Sequence, residues 1–299
     1  MPPISQEKLV AYRTKTHRQF PGGRIKTREE AIQFVNERGF IFFWPIQEIV
    51  LPSLWVAVAG DRPVADAHDD PGHVTWGWKD SLLGKRVWYY AKLLRKRSTI
   101  VSLDVIPYFY ALSENYGSPE EDYLTLYEQG RLTLESKAVY EAILQEGPLN
   151  AVELRRAARM TSQESDTRFN RALTDLQADL KILPIGVAQA GRWNYAFMYE
   201  IVARHYPEMV DQARLISERQ ACRKLTELYL RSVGAARLND VQKLFGWSTD
   251  AAKRALDELA QAGAIYANQE IGGQKGRWCT LRELIEDDLG CSPGDESGG

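Results

Sequence analysis

An internal repeat in the C-terminal half constrains this chain more than any other feature. Arg171-Ala172-Leu173 leads through Leu176 to Ile182 and on to Gly191-Arg192-Trp193, and Arg254-Ala255-Leu256 leads through Leu259 to Ile265 and on to Gly276-Arg277-Trp278. From the Arg to the Ile the spacing is identical. Only the stretch before Gly-Arg-Trp differs, by two residues, and a hairpin tip tolerates that. Each copy has similar upstream punctuation. Helices are predicted over residues 135–145, 151–159 and 165–180, the first stopped by Gly147-Pro148. In the second copy they fall at 221–233, ended by Gly234, then at 239–245 and at 249–262 after Gly246-Trp247-Ser248. Phe169, Ala172, Leu173, Leu176 and Leu180 share one helical face, as do Ala252, Ala255, Leu256, Leu259 and Gly263. Three helices followed by strand, turn and strand is the winged helix-turn-helix order. The expected fold class is therefore mainly α with small β-hairpins, in tandem winged helix-turn-helix units.

At 299 residues the chain exceeds what one core usually organises. Net charge is -2, from 38 basic and 40 acidic side chains, so no global field draws the molecule onto nucleic acid or anionic lipid. Local patches must supply any such attraction. Three widely spaced cysteines fit neither a disulfide framework nor a metal clip and point to a reducing, cytoplasmic setting. No signal segment or membrane span is expected.

The N-terminal part has a different character, with most of the eight Trp and fourteen Tyr lying before residue 130. Helices are predicted over 5–19 and 27–38, the second opened by a Thr27/Glu30 capping box and closed at Gly39. The apolar runs 40–44 and 49–59 leave strand and buried helix undecided. Residues 66–72 read as an exposed loop, and further short helices are expected over 104–115 and 120–129. Between 79 and 97 a single basic helix is predicted. Its seven cations, Lys79, Lys85, Arg86, Lys92, Arg95, Lys96 and Arg97, face one acid, Asp80, and are interleaved with Trp88, Tyr89 and Tyr90. Cations among flat rings neutralise phosphates and stack on exposed bases. The plainer reading buries Val87, Tyr90, Ala91 and Leu94 and leaves an ordinary solvated face.

In the repeated units, Arg168, Asn170, Arg171 and Thr174 fall on the outward face of one third helix, and Asp250, Lys253, Arg254 and Asp257 on that of the other. Arg192, Lys275 and Arg277 lie in or beside the wings, where cations meet phosphates. Asp250 and Asp257 would repel them, and the same units serve elsewhere as protein-binding modules. Trp193 and Trp278 are expected to pack on their three-helix cores. His68, Asp69, Asp70 and His73 admit a metal or an acid–base role, against a turn-and-capping role for Asp70-Pro71-Gly72.

The order of these segments, and Trp247-Ser248-Thr249-Asp250-Ala251-Ala252-Lys253-Arg254-Ala255-Leu256 in particular, resembles the AlkZ/YcaQ family of DNA glycosylases. The resemblance implies a third winged-helix unit in the N-terminal region and a concave channel that cradles double-stranded DNA. It also implies excision of alkylated bases, including cross-linked ones. The family's catalytic Gln, aliphatic, Gln-or-Asp motif falls on Phe42, Phe43 and Trp44, so both polar positions are aromatic here. Its C-terminal barrel-like portion is not expected in this chain. The remaining candidates for activating water are Glu48, Asp70 and His73, and Trp44, Trp76 and Trp78 are candidates for base stacking. The expected domains are 1–129, 130–212 and 213–285, with an acidic, disordered tail at 286–299. A monomer without metal or cofactor is expected. Two other readings stand beside this one: a transcriptional regulator with a ligand-sensing aromatic N-terminal domain, and a protein-interaction scaffold.

Overall fold

The computed structural model describes residues 4–191 and 193–286. The tail expectation thus falls almost wholly outside the described residues, as does that for Arg192. The elements run α1 (Gln6–Thr16), α2 (Arg28–Arg38), β1 (Phe40–Phe42), α3 (Leu54–Ala59), α4 (Val74–Leu82), β2 (Tyr89–Lys92) and β3 (Ser98–Val101). Next come α5 (Ile106–Ala111), α6 (Asp122–Glu128), α7 (Leu134–Glu146), β4 (Leu149–Asn150), α8 (Ala151–Ala157), α9 (Asp166–Ala178), β5 (Ile182–Ala188) and β6 (Ala196–Ile201). The chain continues with α10 (Val202–His205), α11 (Pro207–Arg214), α12 (Glu218–Val233), β7 (Ala235–Ala236), α13 (Leu238–Phe245), α14 (Thr249–Gln261), β8 (Ile265–Gln269), β9 (Trp278–Leu281) and α15 (Glu283–Glu286).

Three stretches share one plan: helix, short strand, two helices, two strands. Their sheets are ordered β1-β3-β2, β4-β6-β5 and β7-β9-β8, antiparallel throughout, so in each the first strand pairs with the last. The polar punctuation behaves as its chemistry requires. Thr27 accepts from the Glu30 amide at the start of α2, though the Glu30 carboxylate takes the Lys26 amide and not the Thr27 amide of the expected capping box; Asn150 and Glu153 close a capping box on α8, and Ser248 accepts from the Ala251 amide at α14. Gly39 and Gly234 end α2 and α12 at φ 81° and 76°, a conformation that costs a Cβ-bearing residue more.

The single basic helix expected over residues 79–97 does not form. Helix α4 ends at Leu82, and the rest is the hairpin of β2 and β3. Gly84 and Arg86 take left-handed backbone, which breaks helical continuity, and Tyr89, Tyr90 and Ala91 are buried on both faces of the sheet. A strand covered on both faces shows no alternation, so its apolar run does not reveal its period. The same holds for β1. Phe40 and Phe42 face one core, while Ile41 and Phe43 face another.

The first of these cores, and a third one in the second unit, show how the units join. The second unit closes its own around Val139, Ile143, Leu154, Phe169, Leu176 and Ile182. The first and third share one, in which Phe40, Phe42, Tyr89 and Val101 pack with Leu225, Tyr229, Leu244 and Leu256. Trp278 is buried as expected. Trp193 is not: it is 82% exposed, because it lies in the loop between β5 and β6, whereas Trp278 is the first residue of β9 and is held in the sheet. Among the described residues no helix is long and apolar enough to cross a membrane, and no group of three or more His, Cys, Asp or Glu side chains is placed to hold a metal.

Candidate nucleic-acid interface

The β2–β3 turn carries the densest group of accessible cations. Arg97 donates its amide to the Leu94 carbonyl at 2.9 Å, and the two residues between them are left-handed, Arg95 at φ 54° and Lys96 at φ 57°. This is the geometry of a type I′ turn, whose central positions favour Asn and Gly. Here both positions carry a cation. Buried Leu93 and Leu94 anchor the turn, and Thr99 Oγ1 fastens it by accepting from the Leu94 amide at 3.1 Å and donating to the Arg97 carbonyl at 2.8 Å. The backbone strain is held by these fixed contacts, leaving Lys92, Arg95, Lys96 and Arg97 exposed.

A cleft of about 460 Å³ opens beside the turn, lined by Trp44, Pro45, Ile46, Gln47, Lys92, Lys96, Arg97 and Ser98. Its charged lining is cationic. On the other side of the turn lies α9. Lys96 pairs with Asp175 at 2.5 Å, and Lys92 Nζ donates to Thr174 Oγ1 at 3.3 Å. Desolvation, and then the nearby Arg97 guanidinium, hold the Lys92 ammonium below the usual lysine value. Arg97 has no hydrogen bond or ion pair through its side chain among the described residues. Trp44 forms the cleft's flat wall and leans on Phe43, Trp55, His73 and Trp76. Trp76 is exposed at the edge of this aromatic group, and Trp78 is half-buried in the first unit's core.

Other expected contacts are used differently. Lys79, expected on an exposed basic face, is 4% exposed because α4 packs against the β5–β6 hairpin. Its Nζ lies 2.7 Å from Asp80, donates to Tyr195 Oη at 3.1 Å and sits among the rings of Phe43, Trp76, Tyr90, Tyr195 and Phe197. Burial draws this ammonium below its ordinary value, and no phosphate reaches it. Arg86 binds the His205 carbonyl and pairs with Glu208 at 3.5 Å, which ties the first unit to α10 and α11. Lys85 is exposed. Arg168 and Arg171 remain exposed while pairing with Glu135 at 3.1 Å and Asp175 at 3.6 Å. Lys253, Arg254, Lys275 and Arg277 are exposed on the third unit, and none of them lines the cleft.

The three candidates for water activation also lie outside the cleft lining. Asp70 accepts from Arg62 at 2.6 Å and from the Gly72 amide at 2.7 Å, and these bonds hold its carboxyl below the usual range. It caps a turn. His73 stands between Trp44, Trp55 and Trp76 with Nε2 at 2.9 Å from the Ala65 carbonyl, so it closes the 61–73 loop over the aromatic group. Glu48 pairs with Lys243 at 2.8 Å, bridging to α13, and this bond likewise lowers its pKa. The uncharged polar side chains at the cleft are Gln47 and Ser98. Gln47 is not among the site residues expected from the sequence, because it adjoins Glu48 and an adjacent pair does not reproduce the spacing of the resemblance's motif. The available signal was an amide three residues from Trp44, and the turn in which Ile49 donates its amide to the Ile46 carbonyl carries it to the cleft. Of the resemblance's two polar catalytic positions, Phe42 is fully buried and absent from the cleft lining, while Trp44 forms the cleft's wall but carries no group that could activate water.

A family model described as AlkZ related matches residues 25–246. Among solved structures, the DNA glycosylase AlkZ of Streptomyces sahachiroi is similar in fold, with a TM-score of 0.59 and 14% identity over 98% of this chain and 74% of that one. No curated protein matches the sequence.

Proposed function

The chain belongs to the AlkZ-related family, and from that premise we propose that it binds damaged duplex DNA across the β2–β3 turn and takes an unstacked base into the adjoining cleft. The observation that carries this reading is the composition of the cleft: a Trp44 wall, a Gln47 amide and an edge of Lys92, Lys96 and Arg97. A base leaving its stack loses stacking that an indole restores, and its flanking phosphates meet the cations. Hydrolysis of the N-glycosidic bond needs a water placed on a sugar that is becoming cationic. The Gln47 carboxamide is suited to hold that water but not to deprotonate it.

The test is incubation with alkylated duplex, with chromatography of the released base. Wild type is expected to release base and Gln47→Ala to lose that release while still binding duplex. No release by wild type removes the excision step. Phe42 and Trp44, aromatic at the resemblance's two polar catalytic positions, favour a second reading, a DNA-binding protein without catalysis, and that result would select it. A duplex affinity that is flat against salt would remove both readings.

A further inference from the structure

The same turn borders a second cavity that the DNA reading leaves unused. Its volume is also about 460 Å³, and Leu93, Leu94 and Arg95 face it together with Asn115, Asp179, Lys181, Phe245 and Trp247. Side chains of all three repeated units therefore meet there.

Lys181 is only 3% exposed. Its Nζ donates to Asn115 Oδ1 at 2.7 Å, and among the described residues no carboxylate stands within ion-pair distance. Glu114, Asp122 and Asp179 act on it from farther away, and Glu114 is already paired with Arg131. An ammonium with three donors, taken out of water and given one acceptor, is an incomplete site. Arg95 adds a second cation to the same lining. Its side chain has no hydrogen bond or ion pair among the described residues, and the left-handed turn holds it at the cavity's edge. The rings of Phe245 and Trp247, stacked at 4.2 Å and 11°, form a planar wall beside these cations.

We propose that this cavity binds the phosphoryl group of a nucleotide, with Lys181 and Arg95 donating to its oxygens and the Phe245–Trp247 wall flanking the nucleoside. Three cations line the cavity, Arg95, Arg131 and Lys181, against two carboxylates, Glu114 and Asp179. A single phosphoryl group suits that balance better than a triphosphate. It comes either from a free mononucleotide or from a nucleic-acid backbone.

Calorimetry with deoxyadenosine monophosphate, and duplex binding against salt, separate the two sources in wild type, Lys181→Met and Arg95→Asn. If the ligand is free, the mononucleotide binds wild type and each substitution weakens it at least tenfold. If it belongs to a backbone, the mononucleotide does not bind, but each substitution weakens the duplex and lowers the salt slope by about one. Arg95 is exposed and Asn tolerates left-handed backbone, so that variant decides the matter should Lys181→Met fail to fold. Mononucleotide binding unchanged in the folded variants overturns the proposal. So does the absence of mononucleotide binding together with no effect on duplex binding. Lys181-dependent mononucleotide binding by a protein that ignores duplex would end the DNA reading and leave this one standing.

Discussion

Helices α4, α9 and α14 occupy the same place in three units of one topology, yet only α14 keeps its charged outer face clear of other units. Asp250, Lys253, Arg254 and Asp257 are all exposed along α14. In α4 the equivalent surface is covered by the β5–β6 hairpin, and Lys79 is sealed within it. In α9 the surface meets the β2–β3 turn through Thr174 and Asp175. Position within a repeated unit therefore does not say which element meets a partner. Packing between units does, and here it passes the exposed cations from the third helix of the first unit to its β2–β3 turn.

The contrast is broken most forcefully at Lys79. Lys79→Ala empties the aromatic box, removes the ion pair with Asp80 and leaves that carboxylate to Tyr195 Oη, and should cost about 3 kcal/mol in chemical denaturation, with Lys79→Met costing less because it keeps the packing. Lys253→Ala on α14 should change stability by no more than about 0.5 kcal/mol. Equal losses at the two sites would remove the distinction between covered and open helices.

A desolvated group in the N-terminal helix sharpens the same point through pH. Burial, and then the Arg13 guanidinium, lower the pKa of His17 from 6.5 to about 4. The unfolded chain binds this proton more readily than the folded one between those values, so stability is lost as pH falls through that window. The loss should be about 3 kcal/mol, and His17→Leu should flatten that part of the profile. A stability curve of wild type that is already flat from pH 6.5 to 4 would contradict the burial of this imidazole.

Smaller effects separate the β2–β3 turn from α14 in DNA binding. Arg97→Ala should lower duplex affinity by about 1 kcal/mol and the salt slope by about one, whereas Lys253→Ala should leave the slope unchanged. The reverse result would return recognition to the third helix. Smallest is the turn itself. Replacing Arg95-Lys96 with Asn-Gly should stabilise the fold by about 0.5 kcal/mol, since those residues suit left-handed backbone, while duplex binding weakens through loss of Lys96. A destabilised variant would show that the cations contribute more to the fold than their backbone strain costs.

How far each region could be read in advance follows from the range of the interactions involved. Helices α7 to α9 and α12 to α14 were legible because caps such as Asn150 and Ser248, stops such as Gly234 and one-sided apolar faces act within a few residues. Strands β1 and β2 were not, since both faces of each are buried and no alternation survives. The cleft was half legible. Trp44 and the cations of 92–97 stand out in the sequence, but Gln47 does not, because its spacing from Glu48 fits no motif, and Glu48, Asp70 and His73 are engaged with Lys243, Arg62 and the Ala65 carbonyl.

The sequence by itself determined the repeated order of helices and hairpins, because propensity, capping and amphipathic period are properties of neighbouring residues. Which charges stay in water was decided only by tertiary structure. Lys79 and Arg97 belong to one basic run, yet the first is sealed by Tyr195, 116 residues away, and the second stands free. Desolvation is set by what packs across from a side chain, and that partner is invisible in the residues beside it.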